Sequence, residues 1–360
     1  MKIVLILAGV GVLAIFLLIN FFSSRLGKAV NPTVSDSYYF DPQGKKIIYS
    51  PMGNWFELGY KETGADAKSF VALSRDAGKD DHAVYWKGIK TQADAPTFFV
   101  DSNSVLKDKL HVYFPVKDYP PYLFVIAGAD PKTYQPLPVQ NNLYYYYWGS
   151  DSTSIFLDGI KVDVDKEAFV RLNASLAIDA HYVYSIEFSG NLAAGKPGAT
   201  TLVKRIEKPT GKVEVININY VQIGHSVVFS NWKNKFSITP FDKIKSIKQI
   251  DETNILINGM LVRDGKILEG IDEASLEIIN HNFFKDKNNV YYDSEKILLA
   301  NTQTFNVVFD LYSKDDEHVF YKQNLLEAVN PHTFTYNYAS GIATDGKLSF
   351  KDGQLLTEKN

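Results

Sequence analysis

Hydrophobic positions along this chain follow two patterns. From Ile3 to Ser24 the run "IVLILAGVGVLAIFLLINFFSS" carries no charge. About 20 apolar residues are enough to cross a bilayer, so residues 1–24 are expected to form one transmembrane helix. A cleaved signal peptide has a shorter apolar stretch and a small-x-small cleavage site. "LGKAV" at 26–30 matches that poorly, and an uncleaved signal-anchor is the expectation. Lys2 stands on one side of the run and Arg25 and Lys28 on the other, so the positive-inside rule discriminates weakly. The expected orientation puts a very short amino terminus in the cytoplasm. Residues 25–36 then read as a tether, and residues 37–360 as a β-rich domain outside the cytoplasm.

Beyond the tether, short alternating runs replace the continuous one. Each follows a polar turn such as "KDDHA", "KDKLH", "KDKNN" or "KDDEH". Val84 and Trp86 fall on one face of a strand, as do Val112 and Phe114, Ile255 and Ile257, Val290 and Tyr292, Val319 and Tyr321. Tyr85, Tyr113 and Tyr291 fall on the other face. Anchored on the first β-branched or aliphatic residue after the turn, copies sit at Val84, Val112, Ile155, Val183, Val227, Ile255, Val290 and Val319. Ile48 and Leu348 are outlying members. Several neighbours lie 28 or 29 residues apart, as subtracting their numbers gives. Asp158-Gly159, Asn258-Gly259 and Asp352-Gly353 signal type I′ hairpin turns, which need positive φ at both central residues. Each copy reads as a hairpin or a three-strand meander.

A further element recurs. An Asp or Asn is followed four places later by an aromatic or aliphatic residue: Asp66 and Phe70, Asp94 and Phe98, Asp130 and Tyr134, Asp165 and Phe169, Asp272 and Leu276, Asn301 and Phe305, Asn330 and Phe334. Such a side chain can accept hydrogen bonds from amides two or three residues ahead and cap a short helical turn. The apolar residue then drops into the core. A unit this short buries too little surface to fold alone, so neighbouring copies must cover one another. The expected fold is mainly β: tandem hairpin or meander repeats with short capped helical turns. The array is expected to be open and solenoid-like, with a propeller-like ring as the alternative.

The segment "KDKNNVYYDSEKI" resembles the DKNYY repeat family of bacterial proteins. The likeness rests on Asp286, Lys287, Asn288, Tyr291 and Tyr292, with the D-x-x-T-F element downstream. The family's function is unassigned. The resemblance implies a repeat architecture in a bacterial envelope setting, and it implies no catalytic residue.

Composition narrows the chemistry. The chain has no cysteine, which excludes disulfides, thiolate metal sites and cysteine nucleophiles. A net charge of −3 gives no reason to expect a nucleic-acid partner. The motifs HExxH and GxSxG do not occur. His82, His111, His181, His225 and His318 precede strands and could form a metal-binding column; Asn289 at the same place in the clearest copy argues for ordinary turn residues. "GNLAAGKPG" at 190–198 approaches a phosphate loop, but Pro197 stands where a hydroxyl is needed. The candidate ligand-binding residues are Tyr144, Tyr145, Tyr146, Tyr147 and Trp148, an aromatic row able to stack on sugar rings. No metal or cofactor is expected. The expected partners are the bilayer, through residues 3–24, and an envelope protein or peptidoglycan. The expected function is binding or scaffolding, with an envelope hydrolase or a metal-binding repeat protein as alternatives.

Overall fold

The computed structural model describes residues 25–116, 122–137, 148–189 and 197–356. Among them, backbone alternation builds ten small antiparallel sheets whose strands pair in chain order. The first sheet has three strands and spans residues 38–66. The other nine have four each, spanning 71–90, 99–125, 135–162, 170–207, 213–240, 247–268, 277–296, 306–325 and 335–355. The meander therefore has one strand more than the sequence pattern shows. The extra strands are pairs such as Ile89–Lys90, Glu295–Lys296 and Asn324–Leu325. Two polar or half-exposed residues carry no periodic signal, yet they continue the ladder beyond a tight turn.

By Cα proximity the chain divides into two compact units. One comprises the residues up to Lys208 with Trp232–Asn234. The other comprises Pro209–Asn231 with the residues from Lys235 onward. Within each unit, sheets lie face to face. Val84 is fully buried beside Phe98, Leu106 and Tyr113 of the third sheet and the turn leading to it. Its neighbour Tyr85 is buried against Tyr38, Ile47, Tyr49 and Phe70, on the side of the first sheet. Successive residues of one strand thus serve two cores, because side chains alternate across the pleat. The same division holds in the second unit. Phe283 and Val290 pack with Phe305 and Phe320, while Phe284 and Tyr291 pack with Leu256 and Leu261. A sheet buried on both faces is a stack member, and each large side chain buried between two sheets contributes about 1.5–3 kcal/mol.

Most anchor residues occupy the third strand of their sheet, as in Val84–Trp86, Val112–Pro115, Val290–Tyr292 and Val319–Tyr321. Ile255 does not. It lies in Asn254–Ile257, the second strand of the seventh sheet, whereas Val227 lies in the third strand of the sixth. The spacing between those two residues therefore joins unlike positions. The cause is local: Asn258-Gly259 makes a two-residue turn where other sheets carry the longer Lys-Asp turn.

The three Asx-Gly hairpins form with both central residues at positive φ: Asp158 and Gly159 at 46° and 75°, Asn258 and Gly259 at 52° and 83°, Asp352 and Gly353 at 50° and 76°. Gly353 also lies flat against a ring, and a Cβ there would come within 2.2 Å of Tyr321.

Part of the stretch expected as tether pairs with the first sheet. The Gly27 amide donates to Phe40 and that of Val30 to Tyr38. Among the described residues no helix is long and apolar enough to cross a membrane; residues 3–24 lie outside them.

Gly353→Ala combines left-handed strain with a clash and should cost about 2–4 kcal/mol. Gly128, at φ 77° with open space around it, supplies the comparison: Gly128→Ala should cost only the strain, about 1–2 kcal/mol. Urea unfolding of the two variants measures the difference.

Candidate functional site

The polar residues of the repeat meet at the joints between sheets. Asp286 shows the arrangement. One carboxylate oxygen accepts the amides of Asn288 and Asn289, both at 2.8 Å, and so closes its own turn. The other accepts the amide of Asp272 at 2.9 Å. Asp272 is the cap residue of the helical turn that leads into this sheet. The same reach-back joins Asp80 to the Asp66 amide, Asp179 to Asp165, Asp315 to Asn301 and Asp345 to Asn330, at 2.8–3.1 Å. The hydroxyl three places after the cap completes the joint. Ser275 donates to Asp272 at 2.7 Å and accepts the Lys287 amide at 3.0 Å.

Where a lysine precedes the joint aspartate, as at Asp80, Asp108, Asp286 and Asp315, it reaches the other way. Lys79 donates to the carbonyls of Ala95 and Phe98 at 2.9 and 2.8 Å. Lys285 donates to Thr302 at 3.2 Å and Lys314 to Pro331 at 2.8 Å. Lys107 reaches Tyr134 at 2.8 Å and pairs with Asp101 at 2.8 Å. Each Lys-Asp pair thus grips the turn entering its sheet with the carboxylate and the turn leaving it with the ammonium.

The electrostatics follow from burial. Asp179 is 3% exposed. Burial alone would raise its pKa, but hydrogen bonds from the Tyr184 hydroxyl and the Asp165, His181 and Tyr182 amides win and bring it down to about 2. Asp80, Asp108 and Asp151 are lowered for the same balance of reasons. The tyrosine partners move up: burial first, then the Asp80 carboxylate, raises Tyr85 to about 12. A carboxylate held this way is a structural anion with its lone pairs occupied.

A different setting lies beside the first two sheets. A cleft of about 550 Å³ is lined by Tyr49, Tyr60, Lys61, Arg75, Asp76 and Lys87 among others. Its floor is firmly held. The Asp76 carbonyl accepts the Lys87 amide at 2.7 Å and the Tyr38 hydroxyl at 2.9 Å. The Asp76 carboxylate accepts the Tyr49 hydroxyl at 2.6 Å. Arg75 pairs with Asp36 at 3.2 Å. Burial and the neighbouring Lys87 both push the Lys61 pKa down. Two ammonium groups that repel one another, over aromatic walls, suit a negatively charged group entering from outside.

Residues 121–295 match the model of the DKNYY family. Over that stretch, just under half of its length, the chain is similar to the DKNYY family. No curated protein matches it.

The letters of the DKNYY pattern now have physical roles. Asp286 is the joint carboxylate. The Lys287 ammonium pairs with Asp272 at 2.8 Å. Asn288 supplies one of the amides that close the turn. Tyr291 stacks on Phe284 with centroids 4.7 Å apart, and Tyr292 meets Phe283 edge-on at 5.3 Å. The ninth sheet, beyond the matched stretch, repeats the joint at Asp315.

Of the aromatic row expected to bind ligand, Trp148 lies in the core of the fourth sheet, 5% exposed and 5.4 Å from the Phe169 ring. Tyr144, Tyr145, Tyr146 and Tyr147 lie outside the described residues, as does 190–196 of the phosphate-loop-like segment. Among the described residues no group of three or more His, Asp and Glu is arranged to hold a metal ion. The Nδ1 of His111 and that of His318 each sit near the joint carboxylate three residues earlier, at 3.3 and 3.4 Å. The cleft escaped the sequence reading because Lys61, Arg75 and Lys87 come from three separate segments.

Asp286→Ala leaves three partly buried amides without their acceptor and should cost about 1–3 kcal/mol by urea unfolding. Protonation has the same direction. Asp179, the depressed joint aspartate with a pKa of about 2, stabilises the fold fully above pH about 4, and its contribution is lost as pH falls towards about 2. Asp179→Asn should flatten part of this acid dependence, read by circular dichroism across a pH series.

Proposed function

We propose that this chain is a membrane-anchored extracytoplasmic protein that binds or scaffolds an envelope partner, either a protein or peptidoglycan. The anchor is the uncharged run from Ile3 to Ser24. The reading as a binder is supported by one observation above others. The recurring polar residues of the repeat pattern go into joints, while Lys61 and Lys87 line the open cleft beside the first two sheets. A rigid scaffold with a charged recess is what recognition needs, because little ordering cost remains at binding. We favour an open, solenoid-like array, since the joints at Asp80, Asp108, Asp286 and Asp315 are made in the same way by a Lys-Asp pair and another such copy can be added without new contacts.

Fractionation and protease shaving test the placement. The full chain should stay in the membrane pellet after carbonate washing, and protease added to spheroplasts should degrade the repeats. Release by carbonate, or full protection from the protease, would count against the reading. Crosslinking in intact cells should trap a specific envelope protein or peptidoglycan fragment, and Lys61→Gln with Lys87→Gln should lower its yield.

A further inference from the structure

Among the described residues, the loop between the second and third strands of the first sheet is unlike the other connections. It contains a short turn, Pro51–Gly53, and a one-turn helix, Trp55–Leu58. Its apolar side chains face solvent: Met52 is 54% exposed, Phe56 63%, Leu58 50% and Tyr60 42%. Trp55 sits edge-on to Tyr60, with centroids 6.5 Å apart. Leu58, Gly59 and Tyr60 also form part of the wall of the cationic cleft. Apolar, aromatic and cationic groups therefore share one face.

The position of this face along the chain is decisive. Arg25 immediately follows the uncharged run, and its guanidinium donates to the Tyr60 hydroxyl at 3.3 Å. The chain from Gly27 to Val30 is then held against the first sheet by backbone hydrogen bonds. No slack tether separates the end of the run from the loop. If residues 3–24 cross the bilayer, Arg25 emerges at headgroup level and Tyr60 is one side chain away. Tyrosine and tryptophan favour that level, where one end is apolar and the other wet. Lysines near an anionic surface each add about 1 kcal/mol of attraction.

We propose that the loop of residues 51–60 docks on the outer face of the bilayer, with the adjoining cleft taking anionic phospholipid headgroups. Phe56, Leu58 and Tyr60 enter the headgroup layer, and Lys61 and Lys87 meet the lipid phosphate. This inference rests on the anchoring proposed above and names the first partner of the repeats as the membrane itself. It also assigns a role to the Lys87-Gly88 turn. Lys87 holds φ 51° at a position filled by Asp158, Asp264, Asp293 and Asp352 in four other sheets and by Lys322 in the ninth.

The test uses the full chain in nanodiscs of phosphatidylcholine with or without phosphatidylglycerol, carrying brominated acyl chains. The emission of Trp55, taken as the difference between the chain and its Trp55→Phe variant, should be quenched by bromine, and more strongly with phosphatidylglycerol. Lys61→Gln with Lys87→Gln, folded by circular dichroism, should lower the docked-to-undocked ratio by about fivefold per lysine. A chain that resists carbonate but shows no Trp55 quenching overturns the docking while the anchor stands. Quenching that ignores phosphatidylglycerol overturns the headgroup assignment. Release by carbonate overturns the anchor and the docking with it.

Discussion

A buried carboxylate that serves two turns at once is the constraint on which this structure depends. Small sheets of mostly two- to five-residue strands have little stability of their own. They persist because each is clamped between neighbours, and the clamp is polar as well as apolar. Asp286, Asp315 and their counterparts bury a charge, which is costly unless its lone pairs are filled. Three backbone amides fill them. Since those amides come from both the turn and the preceding connector, the cost is met only when two successive repeats are in register. Hydrophobic stacking alone would let small sheets slide over one another; the carboxylates fix one position.

The aromatic residues work within that frame. The capped turn places Phe70, Phe98, Phe305 or Phe334 in the gap between sheets, and the cap's own amide is the one gripped by the joint aspartate. Local capping and long-range stacking are thereby the same event. A repeat missing this device must use another. The sixth and seventh sheets, where two-residue turns replace the Lys-Asp turn, are joined through Tyr220. Its hydroxyl donates to Thr253 and accepts the Gly265 amide, both at 2.8 Å. A tyrosine hydroxyl at the next hairpin also appears where Tyr38 meets Gly88 and Tyr312 meets Gly353.

Much of this was legible in the sequence, and the limits are physical. Alternation, the Asx-Gly turns and the cap-to-aromatic spacing act over a few residues, so Val84, Asp158-Gly159 and Asp66 with Phe70 could be read directly. The buried state of Asp286 could not, because its deciding partner, the Asp272 amide, lies outside the turn. The Lys-Asp turns look like solvated loops until their partners are known. Ile255 was misplaced for a related reason: two strands of one meander look alike when the turn between them is shortened. The aromatic row at 144–148 reads as a surface by composition, yet Trp148 packs inward. The cleft joins segments that share no pattern.

The opposed reach of lysine and aspartate has an evolutionary consequence. Because one dipeptide supplies the forward grip and the backward grip, duplicating a unit in the gene reproduces both halves of a joint at once. The new copy fits its neighbours without compensating substitutions. Array length can then drift by whole modules under selection for reach, while the face nearest the amino terminus stays free to specialise.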